Sequence, residues 1–170
     1  DARVKWPNDV VVLDSDERRM KLAGVLTEAV VDAVPVVGKP VGDVLDDSGE
    51  LKAVVMGIGV NADLEPSALE TDRAVTTLRA ETGGTIDRAA VAAELHERLL
   101  ERAAAVETAD GFAAVVDDWR DLAVTVGERV RVRVDGGVIE GTATDVTETG
   151  ALVVETADGE RTVREGDCER

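Results

Sequence analysis

The sequence has few aromatic residues and almost no cysteine or histidine. Phe, Trp and Tyr make up 2% of the 170 residues, whereas hydrophobic residues make up 44%. The core must therefore consist of Val, Leu, Ile and Ala, a composition that favours sheets with thin helices packed on them. The single Cys168 excludes an internal disulfide, and with one His in the chain it excludes a Cys/His metal site. No apolar run approaches the roughly 20 residues of a membrane span.

Positive charge is also scarce. The chain has 36 acidic and 19 basic residues, a formal net charge of -17, and only four of the basic residues are Lys. Such a surface repels phosphate backbones and anionic membranes, so we expect neither nucleic acid nor membrane as a partner of this segment. The acidic, Lys-poor composition predicts a halophilic protein, with an ordinary acidic cytosolic protein as the alternative. The single cysteine and the lack of a signal-peptide pattern predict a cytoplasmic location.

The first sixty residues alternate Val-rich strand patterns with turn signals. The predicted strands lie at residues 2–6, 10–13, 20–31 and 51–60. A break at Pro7 and a hairpin turn over 14–17 separate the first three strands. The last strand, LKAVVMGIGV, is nearly all apolar, which predicts a central strand buried on both faces. Residues 32–50 contain several Pro and Gly and predict an irregular excursion or a poorly formed hairpin.

Two helices and a group of short strands are predicted further along the chain. After a surface crossing over 61–85, Asp87 caps a helix that runs to about Val106, with Val91, Leu95 and Leu99 as its apolar stripe. The second helix covers 111–122. Its predicted inner side consists of apolar and aromatic residues: Phe112, Val115, Val116 and Trp119. His96 has charged neighbours and is predicted to be an exposed surface residue.

Beyond residue 123 the pattern changes to four short strand patterns separated by Asp/Gly turns. These patterns lie at 128–134, 138–146, 151–156 and 161–164. So many short strands within fifty residues predict a small closed barrel. We therefore predict two domains, 1–122 and 123–170.

Three segments could carry chemistry. Lys5 ends a strand just before a rigid turn, where a fixed cation can hold a carboxylate or a phosphate, although the residues alone favour an ordinary surface Lys. Gly57 and Gly59 end the apolar strand, and Gly24 lies inside another strand, where glycine lets a ligand approach the backbone. A dinucleotide fingerprint at Gly57 is disfavoured because Pro66 interrupts the helix that it requires.

Together these segments resemble the biotin protein ligase family. The motifs KWPNDV at 5–10, KLAGVLTE at 21–28 and GIGVN at 57–61 occur in the family's order, and the C-terminal strand pattern is similar to the barrel that ends these ligases. The resemblance implies an α+β fold: a class II synthetase-like mixed sheet with helices on one face, followed by a small Src-homology-3-like β-barrel.

The resemblance also implies a reaction and its residues. Biotin and ATP form biotinyl-5'-adenylate, with Mg²⁺ offsetting the phosphate charge, and a lysine of a biotin carboxyl carrier protein then accepts the biotinyl group. Lys5 would be catalytic and would contact both the biotin carboxylate and the adenylate phosphate. Val10, Gly24, Gly57 and Gly59 would form the biotin site with Lys5, Asn61 would lie near the adenylate, and no residue would bind a metal. Asn8 and Asp9 would shape the turn that aims Lys5.

Two features separate the sequence from the family pattern. The family's glycine- and arginine-rich loop should precede Arg3 and is not part of this sequence, so we expect the chain alone to bind biotin and ATP poorly and not to turn over. The excursion over 32–50 is longer than the family leads us to expect. The alternative functions are a non-catalytic module that docks a carrier protein or subunit, and a lipoate-transferring relative. A homodimer and an N-terminal DNA-binding domain are left open.

Overall fold

A computed structural model describes residues 1–31, 34–37 and 51–169, and within them the fold is α+β, as predicted. The first five strands are β1 (Ala2–Lys5), β2 (Asp9–Leu13), β3 (Arg19–Val31), β4 (Val34–Val37) and β5 (Leu51–Val60). The helices are α1 (Leu78–Thr82), α2 (Arg88–Ala105) and α3 (Ala109–Leu122), with a 3-10 turn at Pro66–Ala68. The last five strands are β6 (Arg129–Val134), β7 (Gly137–Val146), β8 (Leu152–Thr156), β9 (Gly159–Val163) and β10 (Asp167–Glu169).

The first sheet has the strand order β1-β2-β3-β4, and β5 also pairs with β3. β1 and β2 are antiparallel, and their register places Lys5 opposite Asp9. The predicted turn over 14–17 is present: the Asp14 N–H donates to the Arg18 carbonyl at 3.1 Å, and the Asp14 carboxylate accepts from the Asp16 and Arg18 N–H groups. The strands predicted at 2–6, 10–13 and 20–31 are thus confirmed to within one or two residues.

The prediction that β5 is buried on both faces is wrong. Val54, Val55 and Met56 are 52%, 54% and 46% exposed. Because successive residues of a strand face opposite sides of the sheet, neither face of this stretch is covered by the described residues. Of the predicted excursion over 32–50, residues 34–37 form β4, which pairs antiparallel with the end of β3. Residues 32–33 and 38–50 lie outside the described part of the chain.

The helices begin and end close to their predicted positions. The Asp87 carboxylate accepts from the N–H groups of Ala89 and Ala90 and so caps α2 as predicted. The predicted stripe of α2 is half-buried between exposed neighbours, and His96 is exposed as expected. Phe112 on α3 is 43% exposed, so its predicted inward position is wrong; Val115, Val116 and Trp119 form the half-buried side.

No helix in the described ranges is both long and apolar enough to cross a membrane.

The second sheet contains the predicted C-terminal strands and one strand that was not predicted. Its order is β10-β6-β7-β8-β9, with antiparallel pairing throughout. Small aliphatic residues form its core, namely Val130, Val132, Ala143, Val146, Leu152, Val154 and Val163. β10 adds Cys168, which is buried and lies opposite Val132. Closure of this sheet into a Src-homology-3-like barrel stays a prediction.

The described residues divide into two compact units, each built from separate segments. The first contains 1–5, 9–23 and 60–124, and the second contains 6–8, the described part of 24–59, and 125–169. Within the first unit, the Val124 N–H donates to the Val4 carbonyl at 2.9 Å, which attaches the end of the helical segment to β1. The predicted division into 1–122 and 123–170 stays a prediction.

Candidate functional site

Lys5, Asp9 and Lys21 form a charged cluster in the first unit. The antiparallel register of β1 and β2 places Lys5 directly opposite Asp9, and directly opposed residues of such a pair project from the same face of the sheet. Lys21 comes from β3. Its ammonium lies 2.5 Å from Asp9 Oδ1, whereas the Lys5 ammonium lies 3.9 Å from Asp9 Oδ2. Three strands that meet in one sheet therefore bring two cations to one carboxylate.

Burial makes this cluster different from a surface ion pair. Asp9 is 8% exposed, and a buried carboxylate needs compensating charge and hydrogen bonds. Lys21 supplies them at hydrogen-bonding distance, whereas the Lys5 ammonium is too far from Asp9 for a normal hydrogen bond. The three groups carry a formal charge of +1, and the N–H donors of Lys5 are open to a ligand within the part of the chain that the structure describes.

Asn61 joins this cluster through the backbone. Its side-chain amide donates to the carbonyls of Lys21 at 3.2 Å and Thr76 at 3.1 Å, and its own N–H donates to the Leu22 carbonyl at 2.9 Å. Asn61 therefore holds β3 against the segment that leads into α1. Because its amide nitrogen is already engaged, the predicted contact with an adenylate would have to use the side-chain oxygen.

The residues predicted to bind biotin do not all belong to one unit. Val10 is half-buried on β2 in the first unit, whereas Gly24, Gly57 and Gly59 belong to the second. A Cβ placed on Gly57 would lie 3.7 Å from the Leu26 carbonyl oxygen, and one on Gly59 would lie 4.0 Å from the Gly24 carbonyl oxygen. Both are ordinary contacts, and neither glycine has the positive φ that favours glycine. Packing therefore does not require glycine at either position, and the biotin contact of both glycines stays a prediction.

The turn that follows Lys5 is anchored within the second unit. Trp6 is 1% exposed; its backbone N–H donates to Thr125 Oγ1 and its indole N–H donates to the Gly150 carbonyl, both at 3.0 Å. The Asn8 side-chain amide donates to the Val25 carbonyl at 2.8 Å, while the Val25 N–H donates to the Asn8 carbonyl at 2.9 Å. These contacts agree with the turn-shaping role predicted for Asn8.

Sequence reasoning missed the contribution of Lys21 and the anchoring of Trp6. The spacing of Lys5 and Asp9 does contain a signal, since two residues that flank a tight turn between antiparallel strands are cross-strand partners. The pairing of Lys21 with Asp9 has no such signal, because it depends on a third strand that joins the sheet further along the chain.

The described residues offer no set of metal ligands. No group of three or more His, Cys, Asp or Glu side chains in the described ranges could hold a metal ion. A Mg²⁺ ion that arrives with ATP needs few protein ligands, so the Mg²⁺ that the family resemblance implies stays a prediction.

Two comparisons concern the C-terminal segment and the fold. A profile of the family described as "Biotin protein ligase C terminal domain" matches residues 125–170. The solved structure of the biotin protein ligase from Aquifex aeolicus in complex with biotin and ATP has a TM-score of 0.73 at 23% sequence identity, and the match covers 99% of this chain and 62% of that chain. The α+β fold is thus that of biotin protein ligase structures.

Curated relatives extend the match to nearly the whole chain. The biotin--[acetyl-CoA-carboxylase] ligase of Mycobacterium tuberculosis is 30% identical over 161 residues, which cover 94% of this chain and 49% of that protein. The bifunctional ligase/repressor BirA of Bacillus subtilis is 26% identical over 168 residues, covering 98% of this chain and 45% of that protein. The chain is thus similar to the biotin protein ligases over nearly its whole length. It corresponds to the C-terminal region of these ligases and spans about half the length of the curated relatives.

The similarity to biotin protein ligases gives the charged cluster its context. Lys5 and Asp9 lie in the KWPNDV motif and Lys21 begins the KLAGVLTE motif, so two of the three segments that pointed to the ligases supply the cluster. Asn61 ends the third motif and is attached to the same strand.

Proposed function

We propose that the protein carrying this chain attaches biotin to a lysine of a biotin carboxyl carrier protein through biotinyl-5'-adenylate. The observation that carries the proposal is the Lys5 ammonium, which stands beside a buried ion pair with its hydrogen-bond donors available. The reaction brings a carboxylate to a phosphate, and a fixed cation at their meeting point lowers the energy of both the encounter and the transition state.

In the first step, a carboxylate oxygen of biotin forms a bond to the α-phosphorus of ATP, and pyrophosphate leaves with the electrons of the broken P–O bond. Negative charge on the phosphoryl oxygens faces the ammonium of Lys5. Biotin lies against backbone at Gly24, Gly57 and Gly59, with Val10 as an apolar contact. Asn61 lies near the adenylate.

In the second step, the amine of a carrier lysine attacks the biotinyl carbonyl, and AMP leaves with the bonding electrons. Lys5 stabilises the departing phosphate through the same contact. Mg²⁺ enters the proposal as the counterion of ATP, whose phosphate charge it offsets. A cytoplasmic location and a salt-accumulating host stay predictions from composition.

The test of this function is the substitution Lys5→Ala in the full-length protein. We expect biotin-dependent exchange of pyrophosphate into ATP to fall by about 100-fold or more, in the range found for losing one preorganised donor to a transition-state charge. The unfolding temperature should change little, because Lys5 is held by a long ion pair. Lys52→Met, which removes a Lys from β5 of the same sheet, is the matched control and should retain normal exchange.

Three results would contradict the proposal. Unchanged exchange in Lys5→Ala would remove Lys5 from the reaction. Exchange supported by lipoate in place of biotin would favour a lipoate-transferring relative. A full-length protein that binds a carrier but shows no exchange with either acid would favour a docking module.

A further inference from the structure

We propose that Lys21 is a positioning residue that holds the Asp9 carboxylate and thereby keeps Lys5 available for the reacting anions. This inference rests on the proposed function, because it gives Lys21 a task only if Lys5 binds carboxylate and phosphate. The structural basis is the asymmetry of the cluster: Asp9 Oδ1 lies 2.5 Å from Lys21, and Asp9 Oδ2 lies 3.9 Å from Lys5.

The asymmetry matters because Lys5 and Asp9 are direct cross-strand partners. Their side chains project from the same face, and a free carboxylate opposite an ammonium at this range would form a pair with it. Such a pair would neutralise the cation before a substrate arrived. In the observed arrangement Lys21 already binds the Asp9 carboxylate. The carboxylate therefore attracts the Lys5 ammonium from 3.9 Å without forming a hydrogen bond to it.

The structure pairs Asp9 with Lys21 and Lys5 within the described residues. Asp9 is 8% exposed, so water cannot replace a lost cation fully, and Lys5 is the other ammonium paired with it. Removing Lys21 would leave a buried carboxylate that gains most by moving onto Lys5. Lys21 itself is held in place through its backbone, where its N–H donates to the Ala74 carbonyl and its carbonyl accepts from Thr76 and Asn61.

The experiment is a double-mutant cycle in the full-length protein, with Lys21→Met, Asp9→Asn and the double variant. We expect Lys21→Met to lower kcat/KM for biotin-dependent pyrophosphate exchange by about tenfold or more, because Asp9 then captures Lys5. The double variant should recover most of that loss, because the competing carboxylate is gone. Lys21→Arg keeps a cation at Asp9 and should stay within about threefold of the unchanged protein.

A second measurement reports on Lys5 without catalysis. Brief acetylation followed by peptide mass spectrometry measures the reactivity of each of the four Lys residues. Lys5 should react several-fold more slowly in Lys21→Met, since an ammonium hydrogen-bonded to a carboxylate is less available to the reagent, and should react normally again in the double variant. Lys52 is the internal reference and should react equally in all variants.

The outcomes separate this inference from the proposed function. A double variant as slow as Lys21→Met, with Lys5 reactivity unaltered throughout, would overturn the inference and assign Lys21 a direct contact with the ligand or a purely structural role. If exchange is absent from the unaltered protein but the acetylation pattern follows the prediction, the proposed function fails while the charge arrangement stands. If Lys21→Met and the double variant have equal urea midpoints, the recovery of kcat/KM in the double variant is not due to a gain in stability.

Discussion

Replacing Trp6 by Ala should destabilise the protein more than any other single aromatic substitution. Trp6 is 1% exposed, and complete burial of a Trp removes about 150–250 Å² from water. At about 25 cal/mol per Å², and after subtracting what Ala retains, the loss is about 3–5 kcal/mol. The indole hydrogen bond to the Gly150 carbonyl adds about 1 kcal/mol. We therefore expect the free energy of unfolding to fall by about 4–6 kcal/mol.

Differential scanning calorimetry and urea denaturation followed by far-ultraviolet circular dichroism would measure this loss. For a chain of this size it corresponds to a Tm lowered by about 8–24 °C. Phe112→Ala is the matched control, because that ring is 43% exposed, and it should cost less than half as much. A loss below about 1.5 kcal/mol for Trp6→Ala would refute the reasoning, since removing a buried ring of this size lowers the free energy of unfolding by more than that.

Two further predictions concern glycine positions and pH. Gly59→Ala should weaken biotin binding while leaving the urea midpoint equal or slightly higher, because the new Cβ meets nothing closer than 4.0 Å. Gly141→Ala should lower the free energy of unfolding by about 2–4 kcal/mol, because its Cβ would lie within 3 Å of Val154 and of the Glu155 backbone. Equal urea midpoints for the two variants would contradict this. Hydrogen bonds from the Arg18 N–H and guanidinium, together with the Asp16 N–H, lower the pKa of Asp14 below 3.8. Since a lowered native pKa stabilises the fold above the unfolded value, this contribution should be present above about pH 4 and be lost as pH falls through the native pKa. A carbon-detected NMR titration of Asp14 would contradict this if its midpoint were 3.8 or higher.

Several elements could be predicted because their causes are local. Asp87 caps α2 with bonds to residues two and three positions away, and the turn at 14–17 closes through the Asp14 side chain. Strand patterns at β1, β2 and β3 depend on alternation within a few residues. The three motifs carried the resemblance to biotin protein ligases because they are short, contiguous and in order. Lys5 as a site residue came from that resemblance, and composition or spacing alone favoured an ordinary surface Lys.

Other features depend on partners that are distant along the chain. The apolar composition of β5 predicted burial, but burial depends on what packs against a strand, and Val54 and Val55 are exposed on opposite faces. β10 is three residues long and mostly polar, and it is a strand because it pairs with β6, placing Cys168 opposite Val132.

The amino-acid sequence by itself determined the resemblance to biotin protein ligases, the α+β fold class, the Asp87 cap of α2 and the position of Lys5 at the end of a strand. Each of these depends on residues within a few positions of one another, where side-chain period and turn chemistry act directly. Only the tertiary structure decided that Lys21 binds Asp9 and that Trp6 bonds to Thr125 and Gly150. Those contacts join segments whose separation along the chain carries no local signal, and the pairing of strands brings them together.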